Sequence, residues 1–297
     1  MTRIVTSLLM GAASLALITA PGLSQDLSAD HFARLSAEVF SAQSQTVLVA
    51  AHRAAHKDAP ENSILAIEHA IALGVDIVEL DVKVTCDGVP VLMHDETVDA
   101  TTNGSGRIED MTFAQVRALR LKARKGDDPD IPLTDHRVPS LQEALRVAKG
   151  RIFVDLDLKT SRMAAVVNTV NAVEFGPQAL WFDSDWDNFN LALSQGEATF
   201  LMPRARNLED VRAICARFPQ AIAIHIDPSF YTVEVVNTIR GCDARIWINA
   251  LGDVDAAIAA GHGAEALNPL LIGGANIIQT DEPAAVLAYL RQINRHW

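Results

Sequence analysis

Short apolar runs of strand length alternate along the chain with segments whose apolar residues have helical spacing. Residues 47–51 form the first run, a helical pattern over residues 63–73 ends at Gly74, and residues 76–82 form the next strand. The same alternation predicts six more strands, at residues 152–158, 179–182, 199–202, 221–226, 244–249 and 276–279. Continuous apolar strands separated by helices are typical of a parallel sheet buried on both faces. Eight such units predict an α/β protein with a closed (β/α)8 (TIM) barrel.

One segment does not follow this alternation. Residues 89–93 come after the second strand with too few residues between for a crossover helix, and Asp87-Gly88 between them is a hairpin turn signal. We therefore expect an antiparallel return outside the count of eight. Residues from about 83 to 138 are predicted to be an insertion between the second strand and its helix, which should begin near Ser140.

The first 24 residues have the pattern of a cleavable signal peptide. They carry one charge, Arg3, an apolar run over residues 8–20, and small residues, Gly22 and Ser24, at positions suited to a peptidase. The apolar run is shorter than the roughly 20 residues that span a bilayer, so no stable membrane anchor is expected. We predict an exported protein, periplasmic or secreted, with residues 25–297 as one barrel domain that starts with a mobile segment over residues 25–44.

Composition limits the partners and the kinds of site. The chain has 297 residues, 49% of them hydrophobic, which allows a large core, and its formal net charge of −12 argues against nucleic acid as a partner. An acidic cleft would instead attract a divalent cation. Cys86, Cys215 and Cys242 form no metal-binding array and allow at most one disulfide, and we expect all three to be ordinary small buried residues.

Carboxylates with a spacing of two residues occur in two neighbouring predicted strands. Glu79 and Asp81 point to one face of the strand predicted over residues 76–82, and Asp155 and Asp157 point to one face of the strand over residues 152–158. Buried acids without partners would repel one another, so we predict a shared divalent cation, Ca²⁺ or Mg²⁺, held by Glu79, Asp81 and Asp157. The alternative is a set of structural salt bridges at the rim of the barrel.

Basic and titratable residues stand beside these acids. His52 follows the first strand and His94 follows the hairpin, and two imidazoles can act as base and acid in one reaction. Arg53 and Lys159 are the cations best placed to bind a phosphate oxygen, and the alternative role for both is charge balance for the neighbouring acids.

The order of short motifs resembles that of the glycerophosphodiester phosphodiesterases. The matching strings are His52-Arg53, Pro60-Glu61-Asn62-Ser63, Glu79-Leu80-Asp81-Val82, Thr85-Cys86-Asp87-Gly88, His94-Asp95, the run from Thr101 to Gly106, Val138-Pro139-Ser140-Leu141, Leu158-Lys159, Trp247-Ile248-Asn249 and Thr280-Asp281-Glu282-Pro283. The resemblance implies that His52 and His94 are the acid/base pair and that Glu79 and Asp81 bind the metal.

The resemblance also extends to further site residues and shows departures from the family pattern. It implies that Lys159 and Trp247 contact the substrate, while Glu61 and Asp155 are expected to support the ligands without touching the ion. Ala54 stands where the family has glycine, Ser63 where it usually has threonine, and Asp157 where it usually has glutamate.

These observations predict a metal-dependent phosphodiesterase that acts on a small molecule. The expected reaction converts a glycerophosphodiester to glycerol phosphate and an alcohol through a two-histidine acid/base mechanism. One alternative is a lipid phosphodiesterase similar to phospholipase D or sphingomyelinase D. An alternative of another class is a non-catalytic periplasmic binding protein with the same barrel. The sequence leaves the head-group alcohol, the native cation and the oligomeric state open.

Overall fold

A computed structural model describes residues 23–194 and 200–297 of the chain, with side chains from residue 31 onward within those ranges. In this part of the chain the strands are β1 Leu48–Ala51, β2 Ile77–Val84, β3 Pro90–Leu92, β4 Arg120–Lys122, β5 Leu133–Arg137, β6 Phe153–Leu158, β7 Ala179–Asp183, β8 Phe200–Pro203, β9 Ala223–Ile226, β10 Arg245–Asn249 and β11 Ile277–Thr280.

Several of the α-helices have clear sequence signals at their ends. The α-helices are α1 Leu23–Val39, α2 Ile64–Leu73, α3 Phe113–Ala118, α4 Leu141–Ala148, α5 Met163–Val173, α6 Phe189–Ser194, α7 Leu208–Arg217, α8 Val233–Gly241, α9 Asp253–Ala259, α10 Gly263–Gly273 and α11 Pro283–Gln292. The Ser63 hydroxyl accepts a hydrogen bond from the Ala66 N–H and so caps α2, and Gly74, at φ 75°, ends it. Ser140 and Glu143 form a capping box that begins α4.

Eight parallel strands form the barrel in the order β8-β7-β6-β2-β1-β11-β10-β9. Strands β8 and β9 close it through two parallel bridges, Leu201 with Ala221 and Arg204 with His225. The predicted barrel is confirmed, with strand boundaries that differ by at most two residues. Residue 199, the predicted start of one strand, lies outside the described residues. The predicted antiparallel return is also confirmed, because β3 pairs with β2.

Side chains inside the barrel form two layers, because alternate residues of a strand face the same side. The lower layer is apolar and contains Leu48, Ala50, Ile77, Phe153, Leu180, Met202, Ala223, Trp247 and Ile277. The residue two positions further along each of the eight strands lines a cavity at the carboxyl ends of the strands. The fold therefore places a largely polar layer, in which Phe182 is the apolar member, directly above a packed apolar one.

Helix α1 lies across the other end of the barrel. Leu35 and Val39 are buried against the lower apolar layer, and the fully buried Arg245 donates to the Glu38 carbonyl oxygen (2.6 Å). The expected mobile segment over residues 25–44 is therefore wrong for most of its length, because these apolar side chains fill the lower end of the barrel.

The predicted signal peptide covers residues 1–24. Residues 1–22 lie outside the described residues, and residues 23 and 24 are the first two positions of α1. None of the helices among the described residues combines the length and the apolar character that a membrane span requires.

The segment between β2 and α4 has a small core of its own. Antiparallel strands β4 and β5 and the short helix α3 belong to it. Its buried apolar side chains are Val91, Met93, Val98, Ile108, Val116, Leu121 and Val138. This core gives the His94 region a fixed support beside the barrel.

Two of the three cysteines are paired, which corrects the expectation of ordinary buried residues. Cys215 and Cys242 form a disulfide with their Cα atoms 5.6 Å apart, and it joins α7 to the end of α8 on the outside of the barrel. Cys86 is free and exposed. Residues far apart in sequence meet here because adjacent helices of the barrel pack side by side.

Candidate active site

A cavity of about 260 Å³ opens at the carboxyl ends of the barrel strands, where (β/α)8 enzymes place their reactive groups. One side is lined by titratable residues that the sequence singled out, namely His52, Glu79, Asp81, His94, Asp155, Asp157 and Lys159. A larger open groove of about 850 Å³ runs between the β2–β3 hairpin and α5. Its lining has no cluster of histidines and carboxylates, so the barrel cavity is the candidate active site.

Four carboxylates meet on two neighbouring strands. Glu79 of β2 lies beside Asp155 of β6, and Asp81 lies beside Asp157. Glu79, Asp81 and Asp157 each offer an oxygen within 4.8 Å of the others, a spacing that would let the three hold one metal ion. The predicted ligand set is thus brought together by the strand register.

Several oxygens of this acidic cluster have no hydrogen-bond partner among the described residues. They include Glu79 Oε1 and Asp81 Oδ1, both buried. Burial, and then the charge of Asp81, raises the pKa of Glu79 well above its usual range. Buried oxygens that lack protein donors fit a cation, and an all-oxygen set suits Mg²⁺ or Ca²⁺. The residues present therefore fit the metal that the resemblance implies.

The two remaining aspartates differ in their surroundings. Lys159 Nζ binds Asp157 Oδ2 at 2.6 Å and lies 3.7 Å from Asp81 Oδ1, so it partly neutralises this end of the cluster. Asp155 is buried, and its Oδ1 has no partner within the described ranges. Burial, and then the charge of Asp157, raises the pKa of Asp155 well above its usual range.

The loop after β1 wraps around the acids in a left-handed backbone conformation. Arg53, Ala54 and Asn62 have φ values of 50°, 64° and 54°. This bend lets the Arg53 N–H donate to Glu79 Oε2 (2.8 Å), while the Asn62 amide donates to Asp81 Oδ2 (2.8 Å). The family glycine at the position of Ala54 is explained by this geometry, because glycine adopts positive φ without steric cost.

Arg53 lies beside the cavity and does not line it. Its guanidinium binds both oxygens of Glu61 (3.0 and 3.1 Å), and its Nε is 3.5 Å from Asp81 Oδ2. This arrangement matches the charge-balance role that the sequence left open for Arg53. It also makes Glu61 a support of the acidic cluster.

Each of the two predicted catalytic histidines is held by a carboxylate. His52 Nδ1 lies 2.7 Å from Asp281 Oδ1, and His94 Nδ1 lies 2.7 Å from Asp95 Oδ1. A carboxylate at Nδ1 holds the proton there and leaves Nε2 as the exchanging atom. Burial opposes ionisation of Asp281, but the hydrogen bond and charge of His52 outweigh it and lower the pKa of Asp281.

The insertion reaches this site through one cation. Lys125 Nζ binds Asp95 Oδ1 at 2.6 Å, the same oxygen that holds His94. The position of His94 therefore depends on the insertion as well as on the barrel.

The structure corrects the predicted substrate contact of Trp247. Its side chain faces the barrel interior in the lower apolar layer and has no exposed surface. The indole N–H donates to Asn249 Oδ1 (3.2 Å) and Gln279 Oε1 (3.1 Å), two residues that do line the cavity. Trp247 lies one layer too low to touch a substrate and instead orients the amides above it.

Several site residues were not assigned a role from the sequence. Asp281 and Asn62 belong to motif strings quoted above, and Arg204, His225, Asn249 and Gln279 line the cavity from β8 to β11. The alternation of side chains along a strand could have identified the four cavity residues of β8 to β11. Each of them comes two positions after an apolar residue that faces the inside of the barrel.

Comparison with known proteins agrees with this architecture. A crystal structure of a glycerophosphoryl diester phosphodiesterase from Parabacteroides distasonis superposes with a TM-score of 0.75 at 24% identity, over 88% of this chain and 92% of that one. A phosphodiesterase from Oleispira antarctica, solved with the product sn-glycerol-3-phosphate, gives a TM-score of 0.66 at 21% identity, over 82% of this chain and 96% of that one. At these identities the likeness concerns the fold.

Curated relatives match over shorter stretches. The rat glycerophosphodiester phosphodiesterase 1 is 53% identical over 95 residues, 32% of this chain and 28% of the relative. A glycerophosphodiester phosphodiesterase from Caldanaerobacter subterraneus is 40% identical over 114 residues, 38% of this chain and 45% of the relative. The matched stretches therefore span less than half the length of either relative.

The family assignment rests on a longer match. The model of the glycerophosphoryl diester phosphodiesterase family matches residues 52–202, slightly more than half of the 297-residue chain. That range begins at His52 and contains the acidic cluster and His94. The chain therefore belongs to the glycerophosphoryl diester phosphodiesterase family.

Proposed function

We propose that the protein hydrolyses a glycerophosphodiester to glycerol phosphate and an alcohol. The observation that carries this proposal is the pairing of two carboxylate-held histidines, His52 and His94, with a cluster of acids that have unpaired oxygens in one cavity. Relatives named as glycerophosphodiester phosphodiesterases, and the product complex of the Oleispira enzyme, support this choice of substrate.

Glu79, Asp81 and Asp157 would hold the metal, and their oxygen donors favour Ca²⁺ or Mg²⁺. When bound, a divalent cation supplies positive charge to a phosphate oxygen and lowers the pKa of a bound hydroxyl. Lys159 lines the same cavity and adds a further positive charge for the phosphate.

The two histidines perform the proton transfers. One neutral imidazole removes the proton from the attacking hydroxyl as the new P–O bond forms. The other, protonated, donates to the departing alkoxide as the old P–O bond breaks. Asp281 and Asp95 keep both rings oriented through Nδ1, so each proton moves at Nε2. The attacking hydroxyl is water, or it is the neighbouring hydroxyl of glycerol. In the second case the alcohol leaves first, and water then opens the cyclic glycerol phosphate with the two histidines in exchanged roles.

Release of glycerol phosphate from glycerophosphocholine, measured with Mg²⁺ or Ca²⁺, tests the proposal. EDTA should abolish turnover, and a hard divalent cation should restore it where zinc does not. His52→Ala and His94→Ala should each lower kcat roughly a hundredfold or more, the usual scale for a general acid or base. His262→Ala, which removes an exposed histidine outside the cavity, is the matched control. Full turnover after verified metal removal, or in a folded double histidine variant, would refute the mechanism.

The cavity favours a soluble diester over a membrane lipid. Its lining is mostly polar, with Leu158, Phe182 and Leu251 as the apolar side chains among the lining residues. We therefore expect hydrolysis of glycerophosphocholine but not of phosphatidylcholine in vesicles. The opposite preference would favour the lipid phosphodiesterase, and tight binding without turnover would favour the binding protein.

We also propose that the protein acts outside the cytoplasm. The disulfide between Cys215 and Cys242 supports this, since disulfides persist mainly in oxidising compartments. The predicted signal peptide agrees with it. Fractionation of cells that express the full chain, with N-terminal sequencing of the recovered protein, tests the proposal, and an uncleaved chain in the cytoplasm would contradict it.

A further inference from the structure

The wall of the cavity across from the acidic cluster has no part in the chemistry described above. It is built by residues at the ends of β8, β9 and β10, chiefly Arg204, His225 and Asn249. In the closed barrel β9 lies four strands from β2, on the opposite side of the cavity. A substrate phosphate held at the acids would therefore point one of its ester groups at this wall.

His225 lines this cavity and carries a buried hydrogen-bond acceptor that no described residue pairs with. Its Nε2 lies 3.1 Å from Asn249 Oδ1, and the Trp247 indole, which can only donate, also contacts that oxygen. The amide oxygen therefore faces His225, so Nε2 carries the proton and Nδ1 carries a lone pair. His225 is only 3% exposed, and its Nδ1 has no partner in the described part of the chain.

The charge state of His225 agrees with this tautomer. Burial, and then the positive charge of Arg204, lowers the pKa of His225 to about 4. The ring is thus neutral near pH 7, with one donor nitrogen and one acceptor nitrogen.

Arg204 presents an unpaired donor next to it. One terminal nitrogen of its guanidinium donates to Asp227 Oδ1 (2.7 Å), while its buried Nε–H has no partner within residues 23–194 and 200–297. Arg204 and His225 are paired in the parallel bridge that closes the barrel, so their side chains lie side by side on its inner face. Leaving a buried donor and a buried acceptor unpaired is unfavourable, and a ligand that pairs with both removes that cost.

We propose that this wall binds a hydroxyl group of the substrate's alcohol head group. The hydroxyl oxygen accepts from the Arg204 Nε–H, and the hydroxyl proton is donated to His225 Nδ1. This inference rests on the proposed function and ranks diesters of uncharged polyols above choline esters within its substrate class. A trimethylammonium head group offers neither a donor nor an acceptor and places a second cation beside the guanidinium, so choline esters are disfavoured.

The test compares glycerophosphoinositol, whose head group has several hydroxyls, with glycerophosphocholine, whose head group has none. The wild-type protein should have the higher kcat/KM for glycerophosphoinositol. His225→Phe keeps a ring of similar size without the acceptor, and Arg204→Lys keeps the charge without the Nε–H. In each variant the ratio of the two kcat/KM values should fall about tenfold or more, the usual effect of leaving a buried polar group unpaired.

The ratio is measured on one enzyme preparation, so partial misfolding affects both substrates equally. His262→Phe, at an exposed position, should keep the wild-type ratio. An unchanged ratio in both cavity variants would overturn the inference, whether or not the two kcat/KM values themselves fall. If the wild-type protein releases glycerol phosphate from neither substrate, the proposed function itself fails, and this inference with it.

Discussion

Replacing Asp155 and Asp157 separately with asparagine tests the assignment of the metal ligands. The two aspartates are two residues apart on β6 and face the same cavity, but Asp157 belongs to the 4.8 Å cluster with Glu79 and Asp81. Asp155 lies beside Glu79, two residues deeper along β6 than Asp157. The variants remove the same charge with almost no change in shape.

The expected loss of metal affinity differs between them. A unit charge about 4 Å from another contributes about 4 kcal/mol at an effective dielectric constant of about 20, and a divalent ion doubles this. Release of Lys159 from its ion pair with Asp157 offsets part of it, so we expect Asp157→Asn to weaken metal binding by about a hundredfold or more. Asp155→Asn should weaken it about tenfold, the lower end for residues that support ligands.

Although Asp155→Asn should weaken metal binding, it should stabilise the metal-free protein. The raised pKa of Asp155 means that the native state holds this proton more tightly than the unfolded chain, so the group contributes stability below its ordinary value of 3.8 and loses it as the pH rises. Near pH 7 the buried carboxylate, with one unpaired oxygen, is destabilising. Asp155→Asn should therefore raise the free energy of unfolding by roughly 1–3 kcal/mol near pH 7, a gain that disappears towards pH 4.

Calorimetric titration of Mg²⁺ and Ca²⁺ measures the affinities, and urea unfolding in EDTA at several pH values measures the stabilities. Asp187→Asn controls for the change in net charge, because Asp187 is an exposed acid outside the cavity. A larger affinity loss in Asp155→Asn than in Asp157→Asn would show that Asp155 is the ligand. A metal-free Asp155→Asn protein less stable than wild type near pH 7 would refute the electrostatic reasoning.

Three other substitutions test the supports of the site. Asp281→Asn should lower kcat tenfold or more with little change in KM, because the His52 ring loses the charge that orients it. Steady-state kinetics measure both constants, and an unchanged kcat would contradict this prediction. Ala54→Gly should stabilise the protein by up to about 1 kcal/mol in urea unfolding, since φ 64° strains alanine, and a loss of stability would oppose that reasoning. Arg245→Met should lower the free energy of unfolding by about 3 kcal/mol and expose α1 to limited proteolysis, because the buried guanidinium donates to the carbonyls of Glu38, Thr46 and Asn276. A fully protected α1 would count against this role.

The alternation of side chains along the strands predicts part of the site. Glu79, Asp81 and Asp157 are predictable as one cluster because parallel strands with matched spacing place such side chains on one face at the same height. The same pattern applied to β8 and β9 would have identified Arg204 and His225. A lone polar residue in a short strand, however, has no second signal in the sequence to distinguish it from an ordinary core residue.

Trp247 shows where a motif match is not enough. It belongs to a string shared with the family, yet it lies in the layer below the cavity because Asn249, two residues later, occupies the upper layer. The height of a residue in the barrel depends on how the strands are staggered. That stagger is set by the pairing of all eight strands together.

The sequence by itself determined the alternation of strands and helices, and therefore the barrel and the order of its acids and histidines, because these depend on local periodicity and on neighbouring strands. Only the tertiary structure decided which carboxylate holds each histidine, how Cys215 and Cys242 pair, and that α1 covers the lower end of the barrel. Asp281 is 229 residues from His52, and the two meet only because β11 pairs with β1 to complete the ring. Contacts of this kind depend on closure of the whole barrel, and no local pattern encodes them.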